Sequence, residues 1–137
     1  MIANLSDYFL PEHEYYLKNI SYNRIDNPPK LTDHMLSCTD NLSASIQGNR
    51  VRIILERGIK FDPHEFFELS ISFGAELTFN EEKSAQIDWS TINLAEEFHQ
   101  NGEFVLSNLV SRISLLIAQI TSSFGQPPLI LPTVVAK

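Results

Sequence analysis

Apolar residues recur at helical spacing over one long stretch near the C-terminus. Leu106, Leu109, Val110, Ile113, Leu116, Ile117, Ile120 and Phe124 fall at i, i+3, i+4 and i+7, which places them on one face of a helix. The spacing predicts a helix from Glu103 to Phe124, roughly 33 Å long at about 1.5 Å per residue. Asn101 stands where an N-cap is expected, and Glu103 would sit near the positive end of the helix dipole. Gly125 suits the left-handed position past the end, and Pro127-Pro128 cannot continue a helix. A second stripe, Ser107, Ser111, Ser114, Ala118, Thr121 and Gly125, is made only of small residues, and Arg112 is the sole charge between Phe104 and Ala136. A surface helix usually carries Lys and Glu there. The stripe predicts either a close contact with another subunit, through Ser107, Ser111, Ser114 and Ala118, or a weakly polar solvent face.

Upstream the period changes to two. Tyr15 to Ile25 is rich in β-branched and aromatic residues and reads as a strand with imperfect alternation, closed by Asn27-Pro28-Pro29. Met35 to Ile46 reads as a second strand, with Leu36, Cys38, Leu42, Ala44 and Ile46 on one face and Asp40 out of pattern. Gln47-Gly48-Asn49-Arg50 is a hairpin signal. Val51, Ile53, Leu55, Ile59 and Phe61 then alternate with polar positions, broken by Ile54 and Arg57. After a turn at Asp62-Pro63-His64-Glu65, alternation resumes without a break from Phe67 to Phe79. Such alternation belongs to an antiparallel sheet with one buried and one wet face.

Asn80 to Ser84 reads as a polar loop, and the stretch from Ile87 to His99 as a short helix capped by Ser90 or Thr91. Residues 1–13 read as a loose lead-in, with Tyr8, Phe9 and Leu10 able to dock on the domain before Pro11. The fold class is therefore α+β. A four-stranded antiparallel sheet is expected, with a short helix and a long C-terminal helix packed on one face, in a single domain over residues 1–137.

A hydrophobic content of 43% suffices for a real core, and the net charge of −7 offers no basic footprint for nucleic acid or anionic lipid. The lone cysteine, Cys38, excludes an internal disulfide framework and fits a reducing compartment. The N-terminus lacks the basic and apolar regions of a signal peptide, and Phe104 to Ile120, with its Ser, Asn and Arg, falls short of a membrane span. A cytoplasmic protein without membrane insertion is expected. No nucleotide-, metal- or nucleophile-bearing motif occurs. Asp62, His64, Glu65 and Glu68 cluster at one turn, but a metal needs three or four convergent ligands, and solvated turn residues are the simpler reading. No enzyme and no cofactor is expected. What remains is apolar surface in excess of one small core, which implies self-association or a groove for apolar ligands or peptides.

Three stretches resemble one family. Tyr16-Leu17-Lys18-Asn19-Ile20-Ser21-Tyr22, followed by Asn27-Pro28-Pro29, resembles the first strand of SecB-type protein-export chaperones and their SecB-like relatives. Asn101 to Ser114 resembles the family's long helix, with Arg112 at its arginine, and Gly125-Gln126-Pro127-Pro128-Leu129-Ile130-Leu131-Pro132 resembles its Gly-x-x-Pro-x-x-Leu-x-Pro ending. The resemblance implies a homotetramer built as a dimer of dimers. It also implies ATP-independent holding of unfolded or precursor polypeptides in apolar grooves, which here would draw on Met35, Leu36, Cys38, Leu94, Phe98 and Leu106. Export chaperones use acidic positions to meet the translocation motor. The matching Asn19, Asn23 and Ser70 are uncharged, the helix lacks the family's first-turn proline, and no long tail follows Lys137. Docking to that motor is therefore not implied. The alternatives are a SecB-like chaperone of one client, such as an antitoxin, and an oligomeric adaptor whose apolar surface is consumed between subunits.

Overall fold

The computed structural model describes residues 2–25, 35–62, 66–124 and 128–132. Four strands, β1 (Phe9–Ile25), β2 (Met35–Gln47), β3 (Arg50–Asp62) and β4 (Phe66–Phe79), form one antiparallel sheet in the order β1-β4-β3-β2. Three α-helices follow, α1 (Glu81–Ser84), α2 (Leu94–Asn101) and α3 (Glu103–Ser122), with 3-10 turns at Leu5–Tyr8 and Trp89–Thr91. The α+β architecture read from the periodicities is the one observed. β2 and β3 are joined by the Gly48-Asn49 loop, with Gln47 opposite Arg50 and Gly48 at φ +63°, a conformation that costs glycine little.

The core lies between the sheet and the helices. Val51, Ile53, Leu55 and Ile59 of β3 and Leu69, Ile71, Phe73, Ala75, Leu77 and Phe79 of β4 are buried against Val105, Leu106, Leu109, Val110, Ile113 and Ile117 of α3. By length and composition alone α3 is apolar enough to cross a membrane, contrary to the expectation from its Ser, Asn and Arg. Its buried row packs on β3 and β4.

Several expectations are corrected. Residues 1–13 are not a loose lead-in: Leu5 and Phe9 are buried in the core, and β1 begins at Phe9. The imperfect alternation of β1 has a local cause. Leu17 pairs with Phe73 and Asn19 with Ser72, so Lys18 is an extra residue in a bulge, and the phase shift keeps Ile20 and Tyr22 on the face of Tyr15 and Leu17. Asn80 caps the short α1 where a loop was expected, and Asn93, not Ser90 or Thr91, caps α2 by accepting from Glu96 N–H.

Asn101 does not cap α3 but ends α2, and Gly102 alone separates the two helices. Gly102 N–H donates to the Phe98 carbonyl at 2.8 Å, and a Cβ there would collide with that same backbone carbonyl. Because the obstacle is main chain, it cannot rotate away. Gly102→Ala should therefore cost about 1–3 kcal/mol through overpacking, read as a lower urea midpoint at unchanged slope. A midpoint equal to that of the parent would show that the junction yields freely. Gly125 and the Asn27-Pro28-Pro29 and Pro63-His64-Glu65 turns lie outside the described residues.

Candidate functional site

Arg57 and Asp40, which each break the pattern of their own strand, are cross-strand partners in the β2–β3 register. Arg57 keeps the period of β3 and points toward the helices beside Leu55 and Ile59. Its Nε and Nη2 donate to the two Asp40 carboxylate oxygens at 2.8 and 2.9 Å, and the side chains are only 2% and 0% exposed. Such a bidentate pair satisfies both charges in a dry site. The bond to Asp40 holds the guanidinium protonated more firmly than usual, against the opposing effect of burial. The remaining Nη1 donates to Ser114 Oγ on α3 at 3.3 Å and to the Pro132 carbonyl at 2.6 Å. One guanidinium therefore ties together β2, β3, α3 and the C-terminal segment.

That segment is held a second time. Leu129 N–H donates to Thr121 Oγ1 at 2.8 Å, and the Thr121 hydroxyl donates to the Ile117 carbonyl at 2.7 Å. Leu131 is 8% exposed, whereas Ile130 between them is 78% exposed. The small-residue stripe of α3 is thus divided. Ser114 and Thr121 are buried; the Ser114 hydroxyl accepts from Arg57 and the Thr121 hydroxyl from Leu129 of the C-terminal segment. Ser107 and Ser111 are exposed and Ala118 is half-buried.

The six residues proposed for the groove do not share one surface. Leu36 and Cys38 are half-buried on the helix-facing side of β2, in line with Asp40, Leu42 and Ala44. Met35, 71% exposed, has the opposite parity and faces away from the helices. Leu94, Phe98 and Leu106 are buried in the core. Burial pushes the Cys38 thiol above its ordinary pKa, with Arg57 pulling it down and Asp40 pushing it up, which favours the neutral thiol over the thiolate.

A second apolar strip escaped the sequence reading. Leu17, Ile20 and Tyr22 are exposed on the helix side of edge strand β1, and Leu115 is exposed on α3. The Tyr22 ring lies 5.4 Å from Phe124, and Arg112 stacks 5.0 Å over Tyr15. The doubled Leu-x-x-Ile-x-Tyr spacing across Lys18 was its available signal. Among the described residues no three His, Cys, Asp or Glu side chains converge as a metal site. His64 and Glu65 lie outside the described residues.

No protein-family model matches the chain, and no curated protein matches its sequence. Solved structures do. The Mycobacterium tuberculosis Rv1957 SecB-like chaperone, in complex with a ChAD peptide from the Rv1956 HigA1 antitoxin, superposes with a TM-score of 0.69 over 93% of this chain and 92% of its own, at 12% identity. A Streptococcus agalactiae protein of unknown function matches over 88% of this chain and 95% of its own, with a TM-score of 0.43 and 15% identity. At these identities only backbone architecture is compared. The strand order, the two packed helices and the matched length together give this chain the SecB-like fold.

Proposed function

We propose that the chain is a nucleotide-independent chaperone that holds an extended, apolar stretch of one client polypeptide. The observation that carries this reading is the half-covered apolar row of β2, Leu36, Cys38, Leu42 and Ala44, beside α2 in a SecB-like fold. Apolar walls bind by area and tolerate many sequences, and an edge strand also offers unpaired main-chain groups to an extended partner. A defined client, for which an antitoxin is the model, fits better than service to the export motor. Asn19, Ser21 and Asn23 of β1 face Ser72, Ser70 and Glu68 of β4 on the open side of the sheet, so Asn19, Asn23 and Ser70, which match acidic positions of the export chaperones, carry no charge there. The same reading places the protein in the cytoplasm as a homo-oligomer, joined through the Leu17, Ile20, Tyr22 and Leu115 strip with Ser107 and Ser111 alongside. An oligomeric adaptor would bury that strip equally well but has no use for the β2 row.

The test is native mass of the purified protein with and without a reduced, carboxymethylated polypeptide, in buffer free of nucleotide. A complex of defined stoichiometry is expected, together with suppressed aggregation of a refolding substrate. An intact assembly that ignores the polypeptide at several-fold excess would sink the proposal.

A further inference from the structure

The C-terminal segment is bonded to Arg57, whose partner Asp40 stands between Cys38 and Leu42 in the β2 row of the trough that the proposed function assigns to the client. The Pro132 carbonyl accepts from the Arg57 guanidinium, which also donates to Asp40 of β2 and Ser114 of α3. Leu129 is pinned to Thr121 on the same helix. From Ser114 to Thr121 is about 10 Å along a helix, and the step from Leu129 to Pro132 spans about 10 Å when the chain is extended. The segment therefore runs extended and antiparallel to α3. Leu129 and Leu131 turn inward and Ile130 turns outward, the period-two pattern of a peptide lying on a surface. In its chemistry it is what the trough is proposed to accept: a short, extended, apolar peptide with one main-chain carbonyl given to a buried guanidinium.

We infer that residues 128–132 are an intramolecular occupant of the client trough, a strap that leaves when the client enters. This rests on the chaperone reading and adds its regulation. The anchoring suits exchange. Among the described residues, lifting the strap removes the Pro132–Arg57 and Leu129–Thr121 hydrogen bonds and uncovers Leu131, while the Arg57–Asp40 pair stays intact, so the guanidinium keeps its carboxylate. Water, or a carbonyl of the incoming chain, then replaces Pro132 on Nη1. The client competes with a segment tethered in place, and its apparent affinity is lowered by the fraction of molecules in which the trough is filled. Clients that present an inward apolar residue followed by a free carbonyl repeat the strap's own contacts and displace it best.

Full-length variants test this with a reduced, carboxymethylated polypeptide as the probe. Leu131→Ser removes the buried anchor. Thr121→Val removes the acceptor for Leu129 N–H at nearly constant volume and guards against a folding failure in the first variant. Ile130→Ser alters only the outward residue. Binding about tenfold tighter for Leu131→Ser and about threefold tighter for Thr121→Val is expected, with Ile130→Ser like the parent. Amide exchange at Leu129, slow in the free protein, should become fast in the complex. Equal or weaker binding by both anchor variants, or a Leu129 amide still protected in the complex, overturns the strap and leaves the chaperone reading standing. Failure of every protein, the parent included, to bind the probe overturns the chaperone reading and the strap with it.

Discussion

Asp40→Ala is expected to lower the free energy of unfolding by about 3–5 kcal/mol, the usual cost of removing one partner from a buried pair. The Asp40 carboxylate has no exposed surface and takes two charge-assisted hydrogen bonds from Arg57. Without it the guanidinium remains in the core without its carboxylate, and among the described residues a hydroxyl and a main-chain carbonyl stay near Nη1, neither of which carries a charge to offset the desolvated cation. An arginine cannot escape by losing its proton. The double variant Asp40→Leu with Arg57→Met should recover most of the loss, because apolar volume often replaces a buried pair at little cost. Urea unfolding of the parent, the single variant and the double variant separates the cases. A single variant within about 1 kcal/mol of the parent would mean that water reaches the pair and that the site is not dry.

Phe98→Ala carries a loss of similar size, about 3–5 kcal/mol, and decides a different question. Phe98 is 0% exposed, with ring centroids 5.6 Å from Phe9 and 6.0 Å from Phe104. Phe9 in turn stacks on Phe79 at 5.1 Å, so truncation opens a cavity within an aromatic cluster that joins β1, β4, α2 and α3. Resemblance to export chaperones puts Phe98 in the client groove, whereas its burial puts it in the core. A core role predicts a large fall in thermal stability, with unfolded-chain affinity retained at temperatures where the variant is folded. Retained stability with lost affinity would return Phe98 to the groove.

How much of this was legible can be traced through particular residues. β3 and β4 follow their alternation because each has one dry face, which leaves the sequence little freedom. The Arg57–Asp40 pair was also within reach. A loop of Gly48 and Asn49 sets Gln47 opposite Arg50, and counting back along both strands sets Asp40 opposite Arg57. Two apparent defects of opposite charge were one contact. The bulge at Lys18 was not legible, since a single extra residue has no compositional mark. Phe9 was legible as a docking residue, but Leu5 was missed because a lone apolar residue in a short lead-in makes no period.

The candidate site was harder to read than the fold. Leu94 and Phe98 are buried in the core while Leu36 and Cys38 are half-buried at its margin, and both sets are built from the same residue types. Only the third dimension separates them. Ser114 and Thr121 looked like a landing strip for a second subunit because small residues admit any close neighbour. Their neighbours are groups of the same chain, Arg57 at Ser114 and Leu129 at Thr121, which only the folded arrangement brings there.

The strand order has a consequence in time. β2, β3 and β4 are neighbours in sequence and in space, so they can assemble from short-range pairings as soon as they exist. β1 is made first but pairs with β4, which is made last of the four, and contacts so distant in sequence form late because loop closure must precede their reward. Throughout that interval Tyr15, Leu17, Ile20 and Tyr22 are carried on an extended strand without a partner. Each newly made copy of this protein is, for a while, the kind of polypeptide that a finished copy is proposed to hold.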